Sequence, residues 1–438
     1  MTGEPPMGGA TDGESVAHTT PSTRSSVTQA LEVAVAGLVA NGMNLVVTVI
    51  LARVLPSADH NAAYGAFAQM VGVFIVVSLP GSAIAIAIVR RSSWWLARGG
   101  FVELEAWRRW LARQTVRAYA VFAVVAAIAS PLIASLLGGR SWVAVLCTVL
   151  AAGCWVAIAL DRAFLQASRR YRPLAANFLI EGCARTVAVL TGAAVAGVTG
   201  AVAGILVAEL ATWAHAAWAA SRSIPATAGS APGTPPRGEL GGDLAAAICA
   251  FAMLALLQYA DVFLVGRLNA SGSGRYAAIA VVAKTLVYVA IVLSYYLLPE
   301  ASLGHRAGQH ARRQLGVVFA LYAVPCAVLF AVSVIAPHAL LAVIYPERLL
   351  GASGSLAPLV AAMALLGASF LLSTYLLARG VRLVAVWLVA GAVLAFVLIA
   401  GGHGAWHATA MRDVVAQLIV AGGLGAATAA SLLRRTAR

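Results

Sequence analysis

The sequence predicts an all-α integral membrane protein with about twelve transmembrane helices. Of 438 residues, 61% are hydrophobic and 11% charged, with a mean hydropathy of +0.88, a composition that no water-soluble globule folds around. The apolar residues run in stretches of roughly 20 or more, the length that crosses a hydrocarbon core about 30 Å thick at about 1.5 Å per helical residue. The arginines fall between those stretches and concentrate on alternate sides, as expected of a multi-pass protein with basic cytoplasmic loops.

Residues 1–28 are rich in Gly, Ser, Thr and Pro and have no basic n-region, so they read as a disordered cytoplasmic tail rather than a cleaved signal peptide. Spans are expected near 29–53, 63–89, 116–138, 142–166, 173–197 and 199–220, the last two joined by a very short turn from Gly197 to Gly200. The segment SRSIPATAGSAPGTPPRGELGG, 221–242, has the composition of a flexible linker. Six further spans follow near 243–267, 274–299, 314–337, 355–378, 382–401 and 412–433, then a basic tail, 434–438. The linker thus divides an N-terminal six-helix lobe, 29–220, from a C-terminal one, 243–433.

The formal charge of +14 would suggest nucleic acid in a soluble protein, but there is no basic domain, only short arginine clusters between apolar segments. Those clusters report topology. The tails and even-numbered loops hold 22 basic residues, whereas the odd-numbered loops hold Arg53, Arg140, Arg267, Arg275, Arg348 and Arg412. Both termini and the even loops are therefore expected on the cytoplasmic side of the plasma membrane. Cys147, Cys154, Cys183, Cys249 and Cys326 all fall in apolar segments, as small buried side chains rather than a disulfide framework or metal site.

The two halves echo each other weakly. ARVLPSADHNAAYGAFA follows the first span and GRLNASGSGRYAAIA the seventh, each with an arginine, a polar turn and then Tyr64 or Tyr276. The first-hairpin stretch NLVVTVILARVLPSADHNAAYG, the run AFLQASRRYRPLAANFLIEGCARTVAVL across spans four and five, and QYADVFLVGRLNASGSGRYAAIAVVAK across spans seven and eight carry a family likeness. Their spacing of Asp261, Gly266, Tyr276 and Pro299 resembles the polysaccharide (O-antigen, Wzx-type) flippases of the multidrug, oligosaccharidyl-lipid and polysaccharide (MOP) exporter superfamily. The motifs are diffuse and none is a catalytic signature. The resemblance implies two six-helix lobes around a central cavity with alternating inward and outward openings, and a polyprenyl-diphosphate-linked glycan as substrate. Membrane lipids, and glycosyltransferases or a polymerase of the same pathway, are the expected partners. The extra residues Ser57 to Asn61 depart from the family pattern and point to a different outer gate.

The charges embedded in apolar segments are Glu181, Arg185, Glu209, Asp261 and Lys284, the last being the chain's only lysine against 29 arginines. A charge at bilayer depth costs a few kcal/mol and is kept where it meets a partner, a cavity or a substrate. Asp261 and Lys284 either neutralise each other across adjacent antiparallel helices, or Lys284 holds a substrate phosphate with Asp261 as its resting partner. Glu181 and Arg185 stand i, i+4 with the acid first, the favourable order for an intrahelical pair. Glu209 has no partner in its own helix, so pairing with Arg185, protonation and titration during transport all remain open. For the diphosphate, Lys284 and Arg185 are the candidate ligands; Asp261, Glu181 and Glu209 are candidates for charge pairing or for a coupling H⁺ or Na⁺.

Gly37, Asn41, Asn44 and Thr48 form a small and polar stripe on span one, and Gly65, Gln69 and Gly72 do so on span two. Such stripes line a sugar-binding cavity or pack helices. Tyr288 and Tyr295 share the Lys284 face and could contact sugar rings or anchor at the interface. The loop from Trp94 to Arg117 reads as an amphipathic helix in the inner-leaflet interface, with Leu104, Trp107, Trp110 and Leu111 at helical spacing. His403 and His407 lack a third ligand, so no metal is expected, and no phosphate loop or nucleophile with its base implies an enzyme. The alternatives are a drug/cation antiporter or a lipid II flippase of the same superfamily. A polytopic glycosyltransferase or polymerase would need a large catalytic external loop, and every loop on that side is short.

Overall fold

The computed structural model describes residues 23–55, 60–96, 98–223, 242–302 and 308–436. The elements are α1 (Thr23–Val54), α2 (His60–Ser78), α3 (Pro80–Leu96), α4 (Phe101–Leu136), α5 (Trp142–Ala167), α6 (Tyr171–Ser221), α7 (Gly242–Leu268), α8 (Ser273–Ser302), α9 (Gly308–Ile335), α10 (Pro337–Ile344), a 3₁₀ segment Glu347–Ser355, α11 (Leu356–Ala378), α12 (Leu383–Ala400) and α13 (Trp406–Thr436). Among the described residues eleven stretches are long and apolar enough to cross a membrane, with α2 and α3 counted together.

The twelfth crossing is inside α6. A straight helix of 51 residues would run about 76 Å, more than twice the hydrocarbon core. It turns back on itself at Ala196 and at Gly197, whose φ of +57° with ψ of −135° suits a residue without Cβ. The two limbs pack at backbone contact: a Cβ on Gly192 would strike the Gly200 carbonyl, and one on Gly204 the Ala188 carbonyl. The short turn expected between spans five and six is this one.

Several boundaries differ from expectation. Helix α1 begins at Thr23, so residues 23–28, read as tail, are helical; residues 1–22, most of the linker (224–241) and 437–438 lie outside the described residues. The second span breaks after Leu79, where Pro80 lacks the N–H needed to continue α2 and instead opens α3. The interfacial helix expected from Trp94 is not a separate element. Its first residues end α3, and its remainder is the start of α4, continuous with the third span. Half of its apolar stripe lies against protein: Leu104 and Trp107 are buried with Trp95, Ile88 and Phe164, Trp107 stacking edge-on to Trp95 and Phe164 at 5.1 and 5.5 Å between ring centres, while Trp110 stays exposed. Between α9 and α11, α10 and the 3₁₀ segment fill what was expected to be loop.

Helices α1–α6 pack mainly on one another through α5–α6, α1–α6 and α3–α5, and α7–α13 through α8–α11, α11–α13 and α7–α12. The halves meet along a seam where α2 lies on α7 and α8, and α3 on α7. Small residues allow the close approach. A Cβ on Gly65 would overlap the Ser273 hydroxyl, and one on Gly72 would meet the Tyr259 and Phe263 rings at 2.7 Å. The seam carries a narrow cleft lined by Leu79, Ser82 and Ile86 from one half and Phe251, Ile291, Ser294, Phe370 and Thr374 from the other.

Candidate functional site

Lys284 lies eleven residues along α8, about 16 Å from its start, and is 2% exposed. Its Nζ donates to Asp261 Oδ1 at 3.0 Å and Oδ2 at 3.3 Å, and sits 4.5 Å from the centre of the Tyr259 ring. Tyr276, about two turns before Lys284 on α8, donates its hydroxyl to Asp261 Oδ2 at 3.2 Å. Asp261 is wholly buried, so both its oxygens are spoken for by a cation and a phenol. Tyr288, one turn beyond Lys284, reaches back to Tyr259 at 3.1 Å between hydroxyls while remaining partly exposed. Asp261, Lys284 and Tyr288, singled out separately in the sequence, are thus one connected group with Tyr259 and Tyr276.

A further acid joins them. Asp413, on α13, is completely buried and within electrostatic reach of Asp261, Lys284 and Tyr276. Gln417, one turn on and also buried, donates to Asp413 Oδ1 at 3.0 Å. Among the described residues Asp413 Oδ2 and Gln417 Oε1 have no hydrogen-bond partner. The group therefore has two carboxylates around one ammonium.

The N-terminal half holds a second network. Arg185 donates to Glu181 at 2.7 Å within its own limb of α6 and to Glu209 on the other limb. Arg162, at the end of α5, donates to Glu181 Oε2 at 2.7 Å and to Asn177 Oδ1 at 2.6 Å. Asn177 in turn donates to the Thr212 carbonyl and meets His215 Nδ1, each at 3.0 Å. Two guanidiniums and two carboxylates neutralise one another here. Glu209 Oε2 and Arg185 Nε have no partner among the described residues, which leaves the network with spare polar capacity on the limb-to-limb contact.

The other expected residues fall elsewhere. Gln69 was a candidate sugar ligand, but it is fully buried at the seam: it accepts from Arg140 Nε at 2.7 Å and donates to the Phe263 carbonyl at 3.3 Å. Its stripe packs helices in this state, because Gly65 and Gly72 bring α2 too close to α7 and α8 for a cavity between them. On α1, Asn41 is exposed and Asn44 half-buried, its Oδ1 without a partner among the described residues, while Thr48 donates to the Asn44 carbonyl at 2.9 Å. Arg185 and Lys284, the two candidate diphosphate ligands, belong to different clusters, and no described contact joins them. The side chains of Tyr295 and Pro299, and residues Ser57 to Asp59, lie outside the described residues. No group of three or more His, Cys, Asp or Glu that could hold a metal occurs among the described residues.

Sequence reasoning missed Arg162, Asn177, His215 and Asp413. Arg162 stands near the polar end of its span, where sequence alone groups it with the loop arginines, and Asp413 follows Arg412 at the start of the last span, where it reads as a boundary charge. A search for every acid within a turn of an apolar run would have found Asp413.

No family model matches the chain, and no curated protein matches it by sequence. Solved structures do. An inward-facing multidrug-resistance MATE transporter of the MOP superfamily aligns at TM-score 0.65 and 12% identity over 90% of this chain and 95% of its own. An outward-facing MATE transporter of the MOP superfamily aligns at 0.57 and 13% over 93% and 97%. The lipid II flippase MurJ, in an inward closed conformation, aligns at 0.61 and 12% over 90% and 87%. All-helical among its described residues, with eleven membrane-length stretches and a folded-back α6, this chain has the fold of the MOP-superfamily transporters.

Proposed function

We propose that this protein is a flippase that moves a polyprenyl-diphosphate-linked oligosaccharide from the cytoplasmic to the outer leaflet by alternating access, for cell-surface polysaccharide assembly. The observation that carries the reading is the Lys284–Asp261 pair, a lone ammonium buried beside the seam and held by a carboxylate that another anion could replace. A diphosphate offers several acceptor oxygens to a mobile point charge, so binding would exchange one anion for another without leaving Lys284 unpaired. The fold supports transport through the seam, and the sequence resemblance supports the glycan. Asp413 supplies a place for a coupling H⁺ or Na⁺, since two carboxylates around one ammonium leave a negative charge to compensate.

The MATE neighbours favour a second reading, a drug/cation antiporter. Within the two networks the acids Glu181, Glu209, Asp261 and Asp413 outnumber the bases Arg162, Arg185 and Lys284 by one, which would suit a cationic cargo. Deleting the gene in its host and measuring leaflet-resolved lipid-linked oligosaccharides by mass spectrometry separates the two. A finished unit building up on the cytoplasmic leaflet, relieved by the wild type and not by Lys284→Ala at equal abundance, supports the flippase. Normal intermediates with altered export of organic cations would replace it with the antiporter.

A further inference from the structure

Four of the six arginines on the sparsely charged side join the two halves, in two matching sets. Arg53, in the last turn of α1, donates from Nη2 to the Ile344 carbonyl at 3.1 Å. Arg348 returns the contact from Nη2 to the carbonyl of Ala52, the residue before Arg53, at 2.6 Å. In the other set Arg267, in the last turn of α7, donates from Nη1 to the Leu136 carbonyl at 2.8 Å. Arg140 returns it from Nη2 to the carbonyl of Gly266, the residue before Arg267, at 3.3 Å. The two sets occupy equivalent places. Arg53 and Arg267 are the arginines of the internal echo, Ile344 and Leu136 each end a helix, and Arg348 and Arg140 each stand just after that helix end.

We propose that these are two pseudo-symmetric clasps that hold this end of the molecule shut, and that both must release before the halves part there. The acceptors are suited to it. All four carbonyls lie in the last turn of a helix, where C=O groups lack intrahelical partners and carry the negative end of the helix dipole, so a guanidinium meets unsatisfied acceptors and favourable field together. Arg53, Arg267 and Arg348 are exposed and Arg140 half-exposed, so each can rehydrate when its contact breaks, and release leaves no buried charge. Below the first clasp the Tyr64 and Tyr345 rings pack edge-on at 6.0 Å. Below the second, Arg140 also donates to Gln69, which ties that clasp to the seam. The inference rests on the transporter reading only in taking the parting of the halves as a working motion, and it holds for either cargo.

Ser273, 4% exposed and packed on Gly65 at the seam, reports the opening. The full-length protein carrying Ser273→Cys is placed in lipid nanodiscs and treated with a water-soluble maleimide. Peptide-resolved mass spectrometry then reads labelling at position 273 separately from the five native cysteines. Removing either clasp, as Arg53→Ala with Arg348→Ala or Arg140→Ala with Arg267→Ala, is expected to raise the rate at 273 about tenfold, the factor that about 1.4 kcal/mol represents. Removing both raises it further. Cys154, fully buried inside the N-terminal half, serves as the control and keeps its rate. An unchanged rate at 273, or a rise matched at Cys154, overturns the clasps, because the arginines would then hold nothing or hold only the fold. Clasps that behave as expected in a protein that leaves lipid-linked glycans undisturbed would stand while the flippase reading failed.

Discussion

Cutting the Lys284–Asp261 pair from each side, and then from both, separates what the pair does for folding from what it does for transport. At 3.0 Å and an effective dielectric of about 20, two unit charges attract by roughly 5.5 kcal/mol, while taking each out of water costs several kcal/mol. The net worth of the intact pair is therefore small, and the cost lies in orphaning one partner. Asp261→Ala leaves a 2%-exposed ammonium without its hydrogen-bonded carboxylate, with the Tyr259 ring beside it and Asp413 at longer range, and about 3 kcal/mol of stability should be lost. Lys284→Ala is milder, since Asp261 keeps the bond from the Tyr276 hydroxyl. Replacing both, as Asp261→Leu with Lys284→Met, should restore stability to within about 1 kcal/mol of wild type. Thermal unfolding of the purified protein in detergent measures the stabilities, and complementation of the deletion strain measures transport. The flippase reading requires the double variant to be stable and inactive. Additive destabilisation would show that the two charges are not coupled, and restored transport would show that the pair serves only packing.

Three further outcomes follow from the same geometry. Asp413→Asn keeps the shape and the bond from Gln417 but removes a charge, so transport should lose its dependence on an imposed proton or sodium gradient; a gradient response equal to wild type would remove Asp413 from coupling. In the N-terminal half, Arg162→Ala takes one charged donor from both Glu181 and Asn177, leaving Glu181 with Arg185 alone, and should lower stability by about 2 kcal/mol in the same unfolding assay, whereas a loss below about 1 kcal/mol would mean water replaces the guanidinium. Gly65→Val forces α2 away from Ser273, so an engineered cysteine pair across the seam should cross-link more slowly than in the parent, and an unchanged rate would show that the seam yields without cost.

The crossings were legible because bilayer thickness imposes a length that a run of apolar residues cannot hide. The ion pairs legible in advance were those with a local geometric rule: Glu181 with Arg185 by helical spacing, Asp261 with Lys284 by antiparallel neighbours at similar depth. Asp413 meets that pair because α13 packs on α11 and touches α7, and α11 packs on α8, an arrangement with no local trace in the chain. Arg162 looked like a loop residue until α5 brought its end under α6. Gln69 carried a polar signature that fits both a sugar ligand and an interhelical tie, and composition cannot choose between them when the deciding fact is how near the glycines bring α7. The same limit applies to Leu104 and Trp107, whose amphipathic spacing shows that a face is buried but not whether lipid or protein buries it.

The folded-back α6 acts as a ruler as well as a turn. Ala188 lies opposite Gly204, Gly192 opposite Gly200, Arg185 opposite Glu209 and Asn177 opposite His215, so every facing pair adds to nearly the same residue number. The contacts near Gly197 thus set which charges meet far along the limbs. Inserting a single residue in that turn would leave both helices intact and rotate one relative to the other by about 100°, the angle per residue at about 3.6 residues per turn. The ionic network is in this sense encoded by a count of residues in a turn that carries no charge of its own.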